Sequence, residues 1–272
     1  NSRQKMMNEK TALELLKRRD LKNIPTLYKF DRHNELFQTE TLFMSYISDT
    51  HTKLNTNNIY KLANLVLKLH SLESKKFTVP FGDFARRFKG DAYDFINSYV
   101  EVLERDIRKI ENLYILKRLN FKKFLKGSLL FIKRKIENNK DVFKRIKYFS
   151  IIHGHLARNN ERKHILIDRN NNFYITDWEN VCFGERELEI ASFLYENDTI
   201  SAKIKKYFVD LYNCKKRLSF QKIYIYIYLL KLDDLIEEFK NKRFLIKEKL
   251  SPIINKKFLL SLNKEKKILI KL

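Results

Sequence analysis

Apolar residues recur about every 3.6 positions over most of the chain, a spacing that predicts amphipathic helices with one buried face. The predicted helices cover residues 9–19, 57–72, 93–113 and 121–137, and then most of the chain from residue 188 onward, with a long apolar face at 223–239. Pro25 ends the first of these helices. Most of the molecule is therefore expected to be helical.

Several short segments have the composition of β-strands instead. Residues 26–30 and 41–47 are rich in β-forming side chains and flank the polar stretch 31–40. Residues 164–168 and 173–176 flank an Asn-rich turn, which predicts a hairpin because asparagine tolerates left-handed backbone. Residues 151–160 begin with two isoleucines, contain Gly154 and end in two asparagines, which indicates a strand running into a structured loop. The pattern predicts the α+β class.

Composition and charge narrow the class of protein. The chain has 272 residues, 44% of them hydrophobic, enough for one large domain or two lobes that share a cleft. Its formal charge of +23 arises from 56 Lys and Arg against 33 Asp and Glu. These basic residues are scattered along the whole sequence, which favours a solvated lysine-rich surface over a dedicated nucleic-acid interface.

The remaining composition bears on the cellular setting. Cys182 and Cys214 are the only cysteines, so a disulfide framework is not indicated and a reducing, cytoplasmic location is expected. No apolar run approaches the roughly 20 residues of a membrane span, and the first ten residues lack a signal-peptide core. Because the chain begins with Asn1 rather than Met, we expect a fragment of a longer protein.

The predicted hairpin has a geometric consequence. Pairing Asp168 with Phe173 would place His164 opposite Asp177 and bring Asn160 close to Asp177, since cross-strand partners lie ~4.5 to 5.5 Å apart. A carboxylate and an amide oxygen suit Mg²⁺. The alternative is that Asn160 caps its own loop and Asp177 is an exposed residue at a strand end. Spacing alone leaves both open.

Several short motifs, taken together, resemble one family. Residues 153–160 read HGHLARNN, and Ile175, Thr176 and Asp177 follow the hairpin. This arrangement resembles the signature H-G-D-L-x-x-x-N followed by I-D of the aminoglycoside phosphotransferase and choline kinase family. Four further stretches are similar to the family over most of the chain: residues 9–16 with IPTL at 24–27, FMSYIS at 43–48, LKLHSL at 67–72 and GERELEIA at 184–191.

The resemblance implies a protein-kinase-like, two-lobed fold. Residues 1–48 would form part of the N-lobe, and residues 49–272 a helical C-lobe that carries the catalytic loop and a metal-binding hairpin. The implied reaction transfers the γ-phosphate of ATP or GTP to a hydroxyl of a small molecule, such as an aminoglycoside, choline, ethanolamine, thiamine or a sugar. The helices at 93–137 and 223–239 would hold this acceptor. No membrane partner is expected.

The resemblance also implies roles for individual residues. Asn160 and Asp177 would bind Mg²⁺, and Glu9 would pair with a lysine from a preceding strand. His153 would brace the catalytic loop. The adenine would pack against the segment formed by Phe43, Met44, Ser45 and Tyr46. Each role has a plainer alternative: Glu9 would be an ordinary exposed helix residue, and His153 a purely structural one.

Three departures from the family pattern bear on activity. His155 stands where the family has the aspartate that orients the acceptor hydroxyl and takes its proton. General-base assistance contributes ~10² to 10⁴ in rate, so we expect feeble activity or none. Only eight residues precede Glu9, so the family's strand lysine would be missing from the ATP site. Glu189 replaces the aspartate of the family's D-I-A.

These departures leave more than one function open. His155 would belong to a natural pseudokinase, to a protein with a single-residue change, or to an enzyme with a base adapted to imidazole. A pseudokinase would use the fold as a nucleotide- or ligand-binding module. A third function, association with nucleic acid, is suggested only by the charge, and steep salt dependence of binding would support it.

Overall fold

A computed structural model of the chain describes residues 2–31, 41–50, 52–74, 91–110, 121–158, 163–197, 199–240 and 251–271. In chain order the elements are α1 (Ser2–Arg18), β1 (Leu27–Asp31), β2 (Thr41–Met44), α2 (Ile59–His70), β3 (Glu73–Ser74), α3 (Ala92–Ile110), α4 (Phe121–Asn138), α5 (Lys140–Lys144), β4 (Phe149–Ile152), β5 (Ile165–Ile167), β6 (Phe173–Ile175), a 3₁₀ turn (Trp178–Asn180), β7 (Cys182–Gly184), α6 (Arg186–Glu196), α7 (Ala202–Asn213), α8 (Phe220–Lys240) and α9 (Ser251–Lys271).

The helices confirm the apolar periodicity. On α2 the buried side chains include Leu62, Leu65, Val66 and Leu69, the positions that predicted the helix. Helix α1 begins at Ser2, well before the predicted start at residue 9. The prediction missed its first two turns because Met6 and Met7 are their only apolar residues, too few to show a helical period. The predicted helix end at residue 113, and residues 32–40 of the polar stretch between the first two predicted strands, lie outside the described residues.

The strands form small antiparallel sheets in the described part of the chain. β1 pairs with β2, which confirms the first two predicted strands. β4 lies between β3 and β7, and all four of its residues are buried. β5 and β6 form the predicted hairpin. With helices dominating, the α+β class is confirmed.

The predicted register of the hairpin is wrong by one residue. Ile167 pairs with Phe173, so Asp168 belongs to the turn. The physical reason is that the Asp168 side chain caps the turn: its Oδ1 accepts hydrogen bonds from the backbone N–H groups of Asn170 and Asn172 at 2.9 and 2.8 Å. Asn171 supplies the left-handed residue, with φ of 58°. The predicted backbone pairing of residues 164 and 177 is therefore replaced by pairing of 164 with 176.

The chain divides into two compact units. One contains residues 1–87 and 147–218, and its core includes Trp178, Phe193 and Phe208. The other contains residues 88–146 and 219–272, and its core includes the buried faces of α3 and α8. A lobe boundary at residue 48 stays a prediction. Of the helices in the described ranges, none combines the length and hydrophobicity needed to cross a bilayer.

Candidate functional site

The loop after β4 carries the histidines of the motif. The backbone of Gly154 is left-handed, with φ of 84°, and a Cβ atom there would lie 2.8 Å from the carbonyl oxygen of Asn180. A side chain at this position would both strain the backbone and collide with a neighbouring main chain. The glycine of the motif thus lets the loop turn closely over the segment that follows the hairpin.

Helix α6 fixes the start of this loop. Glu189 is fully buried, and its two carboxylate oxygens accept hydrogen bonds from the backbone N–H of His153 at 3.3 Å and of Gly154 at 2.8 Å. Burial raises the pKa of Glu189 to about 7, although the two hydrogen bonds oppose that rise. The residue that departs from the family's D-I-A therefore still binds the loop backbone.

The end of the same helix fixes the rest of the loop. Asn197 is buried; its Oδ1 accepts a hydrogen bond from the Arg158 backbone N–H at 2.6 Å, and its Nδ2 donates to the Leu156 carbonyl at 3.1 Å. The Arg158 guanidinium in turn donates to Asp49 Oδ1 at 3.0 Å, and both side chains are about nine-tenths buried. Separating such a buried pair would cost free energy, because each charge would lose its partner in a poorly solvated environment. The pair therefore keeps this part of the loop in one arrangement.

His153 links the loop to the end of the hairpin. Its Nε2 donates to the Thr176 carbonyl at 2.8 Å, and its Nδ1 accepts from the His155 backbone N–H at 3.3 Å. These two contacts require the neutral ring with its hydrogen on Nε2. The ring is fully buried and edge-on to Trp178, with centroids 4.9 Å apart. Burial, with the nearby charge of His164, lowers the pKa of His153 to about 4.

Asp177 lies beside His164. The Asp177 backbone is left-handed, with φ of 64° and ψ of 61°, so the residue leaves the strand direction, and its Oδ2 lies 3.1 Å from His164 Nε2. This side-chain contact forms despite the shifted backbone register. The hydrogen bond from His164 holds the pKa of the Asp177 carboxyl below its ordinary value, against the opposing effect of burial.

The second nitrogen of His164 is also engaged. Nδ1 donates a hydrogen bond to the His155 carbonyl. Burial by itself would lower the pKa of His164, but the hydrogen bonds to Asp177 and to that carbonyl outweigh burial and raise it. His164 is thus favoured as a cation, paired with the carboxylate that the sequence assigned to metal binding.

His155 also meets a carboxylate. Its Nε2 lies 2.9 Å from Glu196 Oε2, on the last turn of α6, and the Glu196 side chain is only 9% exposed. The other oxygen of Glu196 accepts a hydrogen bond from Ser192 Oγ at 2.8 Å. The ring centroids of His155 and His164 are 5.2 Å apart. The residue at the family's aspartate position is therefore in close contact with a buried carboxylate.

Helix α1 packs Glu9 against the segment after Asp177. Glu9 Oε1 accepts a hydrogen bond from the Trp178 backbone N–H at 3.2 Å, and burial raises the pKa of Glu9. One turn earlier, Lys5 forms an ion pair with Glu179 at 2.7 Å. Glu9 is therefore not an ordinary exposed helix residue. Its pairing with a strand lysine stays a prediction.

The predicted adenine-binding segment, residues 43–46, includes the end of β2, the strand that pairs with β1. Phe43 and Met44 are half-buried residues of β2. Ser45 exchanges two hydrogen bonds of 2.8 Å with the Thr26 backbone, which continues the pairing past the strand end. Tyr46 is 89% exposed. Contact between these residues and a nucleotide stays a prediction.

The magnesium site was predicted from Asn160 and Asp177. Asn160 lies outside the described residues, so its proximity to Asp177 stays a prediction. Mg²⁺ prefers several oxygen ligands in octahedral geometry. In the described ranges, one oxygen of Asp177 is already paired with His164, and no three His, Cys, Asp or Glu side chains form a cluster that could hold a metal. Because Mg²⁺ in nucleotide sites is commonly held by one or two carboxylates together with water and phosphate, the magnesium-binding role of Asp177 stays a prediction.

Sequence reasoning missed two residues of this site. His164 served there only to describe the pairing of the hairpin strands. Its place directly before the apolar strand β5 is a signal that it begins the hairpin beside Asp177. Glu196 carries no local signal, because it reaches His155 through the packing of α6 against the loop.

No protein-family model matches the sequence, and no curated protein matches it. Solved structures with a similar fold are found at low identity. Choline kinase LicA from Streptococcus pneumoniae matches at a TM-score of 0.59 and 18% identity, over 95% of this chain and 79% of that one. The complex of gentamicin with APH(2″)-IIa matches at 0.61 and 15%, over 96% and 79%. A fructosamine-3-kinase homologue from Thermobifida fusca YX-ER1 matches at 0.60 and 13%, over 85% and 73%. The chain therefore has the protein-kinase-like fold of the choline kinase and aminoglycoside phosphotransferase structures, as its motifs predict.

Proposed function

We propose that this chain binds a nucleoside triphosphate and transfers its terminal phosphate, slowly, to a hydroxyl of a small molecule. The observation that carries the proposal is the loop 153–158, braced by α6 and set beside Asp177, in a fold shared with LicA bound to AMP and APH(2″)-Ib bound to ADP. Catalysis in kinases consists mostly of positioning and electrostatic stabilisation, which a braced loop can supply.

The low rate follows from the chemistry of His155. With Nε2 2.9 Å from a Glu196 oxygen, a neutral ring carries its hydrogen on Nε2, and its basic nitrogen is Nδ1. Proton acceptance from an acceptor hydroxyl would therefore have to occur at Nδ1. An imidazole is larger than a carboxylate and uncharged, so most of the ~10² to 10⁴ rate advantage of a well-placed base should be absent.

A second candidate is a pseudokinase that binds nucleotide or an acceptor-like ligand without turnover. The observation in its favour is that both expected polar groups are already in close contact with neighbouring side chains, His155 with Glu196 and Asp177 with His164. Such pairs would hold the site in one arrangement while removing the groups that the reaction uses. The two candidates agree on nucleotide binding and differ on transfer.

The partners follow from the same proposal. ATP or GTP would be the nucleotide, and an amino sugar or amino alcohol is the class of acceptor to test first, because the fold is shared with choline kinase and with the gentamicin complex. Cys182 and Cys214 are free thiols, compatible with the reducing cytoplasm in which we propose the protein acts.

The test compares the natural chain with a repaired one. His155→Asp alone would set two carboxylates against each other, so it is combined with Glu196→Gln, and Glu196→Gln alone is the matched control. Calorimetry with ATP and GTP measures binding, and phosphate transfer is measured on a panel of amino sugars and amino alcohols. We expect nucleotide binding by all three proteins and transfer at least about 10²-fold faster in the double variant only.

The outcomes separate the candidates. Nucleotide binding without transfer in every protein would favour the pseudokinase. Failure of both the natural chain and the double variant to bind either nucleotide would contradict both candidates. Faster transfer in the single control would show that the effect came from releasing His155 and not from restoring a carboxylate.

A further inference from the structure

The last helix, α9, has one face buried against α8. Leu262, Glu265 and Leu269 are its buried side chains in the described residues, and Glu265 forms an ion pair with Lys231 of α8 at 2.8 Å. Both side chains of this pair are about nine-tenths buried, so separating them would cost free energy. These contacts fix the rotation of α9 about its own axis and therefore decide which residues face outward.

The opposite face of α9 is exposed and basic. Its residues recur three or four positions apart, so they lie along one side of the helix. They are Leu260, Asn263, Lys264, Lys267, Ile270 and Lys271. The only acidic residue of α9 is Glu265, on the buried side. The outer face of α9 therefore presents lysines without a carboxylate over roughly 17 Å of helix.

Helix α4 lies beside α9 in the same compact unit and has an outer face of the same kind. Lys135 of α4 donates a hydrogen bond to the Leu269 carbonyl, and the Lys266 ammonium lies 5.1 Å from the centre of the Phe131 ring. The outer face of α4 follows the same spacing as that of α9. Its exposed residues include Lys123, Lys126, Leu130 and Arg134. Two adjoining helices thus each present a row of cationic side chains.

An aliphatic side chain stands within each of these rows. Leu260 and Ile270 on α9 are 62% and 61% exposed, and Leu130 on α4 is 51% exposed. In the described part of the chain the other large hydrophobic side chains that are exposed all belong to tyrosine or phenylalanine. Exposed leucine and isoleucine are therefore confined to the two basic faces.

This combination favours an anionic membrane surface over a nucleic acid. Lysine and arginine are attracted to the negative potential of anionic lipids, and leucine or isoleucine gains free energy by entering the boundary between headgroups and acyl chains. A nucleic acid would attract the same cations, but a single strand is bound through stacking on aromatic side chains. The exposed residues of the two faces include no aromatic side chain in the described ranges.

We propose that the outer faces of α9 and α4 dock reversibly on a membrane surface that contains anionic lipids, with Leu260 and Ile270 entering the acyl boundary. The sequence, which lacks a spanning segment, gave no expectation of a membrane partner, but peripheral docking needs no such segment. Docking of this kind is independent of phosphate transfer and does not rest on the proposed function.

Co-sedimentation of the whole chain with lipid vesicles tests this docking. The vesicles consist of phosphatidylcholine alone or of phosphatidylcholine mixed with phosphatidylglycerol. We expect binding to the mixed vesicles only, and loss of binding as salt is added, because salt screens the attraction. The lysine variant, in which Lys264, Lys267 and Lys271 are all changed to Gln, should bind the mixed vesicles about 10²-fold more weakly.

Matched variants separate the α9 face from the total charge of the chain. Changing Lys203, Lys206 and Lys215 to Gln removes the same charge from exposed positions on and just after α7, and it should alter vesicle binding by less than about twofold. Changing the three α9 lysines to Arg keeps their charge and should preserve binding. Circular dichroism checks that each variant is folded.

A further variant tests the aliphatic side chains. Leu260→Gln combined with Ile270→Gln leaves the charge unchanged and should weaken binding to mixed vesicles at least about fivefold, because less apolar surface enters the acyl boundary. Unchanged vesicle binding by this aliphatic variant would contradict insertion of these two side chains.

An RNA oligonucleotide, followed by fluorescence anisotropy, is the competing partner. Tighter binding of RNA than of mixed vesicles, lost in the lysine variant and kept in the aliphatic variant, would assign the face to nucleic acid and overturn the proposal. Equal weakening by the α7 changes would reduce the effect to total charge and would also overturn it. The same holds for absence of binding to mixed vesicles, since the two faces would then be ordinary solvated surface.

Discussion

Replacing His153 with Gln should make the unit that contains it less sensitive to acid. The ring is fully buried and neutral in the folded protein, because Nδ1 accepts the His155 N–H and Nε2 donates to the Thr176 carbonyl. Protonation of Nδ1 would break the first of these bonds and bury a charge. Gln retains a donor for the Thr176 carbonyl but does not titrate.

The magnitude follows from the pKa of this group. Burial, followed by the charge of His164, lowers the pKa of His153 from its ordinary 6.5 to about 4. Between these values the unfolded chain binds more protons at this residue than the folded chain, so the free energy of unfolding falls as the pH falls. The loss is about 1.4 kcal/mol per pH unit and roughly 3 kcal/mol in total.

The assay is urea unfolding followed by tryptophan fluorescence at several pH values between 7 and 4. Trp178 is the only tryptophan and touches the His153 ring, so its emission reports this unit. The stability advantage of the natural chain over His153→Gln should shrink by roughly 3 kcal/mol across this range. Lys206→Gln, on an exposed face of α7, should run parallel to the natural chain. An advantage that does not change with pH would refute the reasoning.

The remaining predictions concern the groups that brace the loop, and each is measured by Trp178-monitored urea unfolding. Arg158→Ala should cost about 3 to 5 kcal/mol because it removes the buried cation that is paired with the Asp49 carboxylate, whereas Lys206→Ala, which breaks an exposed pair, should change stability by less than about 0.5 kcal/mol. Glu189→Ala should cost about 2 to 4 kcal/mol by leaving two backbone N–H groups without acceptors, and Gln should restore part of this. Gly154→Ala should cost at least about 1 kcal/mol, because its φ is 84° and a backbone oxygen lies 2.8 Å from the new Cβ. Equal costs for Arg158→Ala and Lys206→Ala, or no cost at the other two positions, would contradict the described contacts.

The helices could be predicted from the sequence because their signal is local. The apolar positions of residues 57–72 repeat with the helical period, and the same side chains are buried on α2. The start of α1 could not be predicted in this way, since its first turns contribute few apolar side chains to the core. The apolar period identifies the buried face of a helix. A helix end with few apolar residues has no such face to identify.

The register of the hairpin shows where pattern reasoning fails. The sequence pattern predicts that Asp168 is the last residue of a strand, but its carboxylate accepts two backbone hydrogen bonds within the turn. This local competition for the backbone moves Asp168 out of the ladder and shifts the pairing by one residue. A side-chain cap of this kind leaves no mark on the alternation of apolar and polar residues.

The candidate site, too, could be predicted from the sequence only in part. His153 and His155 could be found from the sequence because they fall in a compact motif with a glycine between them. Glu196 and His164 could not be assigned, because their partners lie on other elements and meet them only when α6 and the hairpin pack against the loop. Glu189 was noted as a departure, and its bonds to the loop N–H groups show how the longer side chain is used.

The central claim is that the loop histidines have fixed and different states, with His164 a cation beside Asp177 and His153 a neutral ring. Long-range ¹H–¹⁵N correlation spectra of the histidine rings at neutral pH test this claim most directly, with His153→Gln and His164→Asn used to assign the signals. The account predicts two protonated nitrogens on His164 and a single protonated nitrogen, Nε2, on His153. A neutral His164, or a His153 ring protonated on Nδ1, would contradict it.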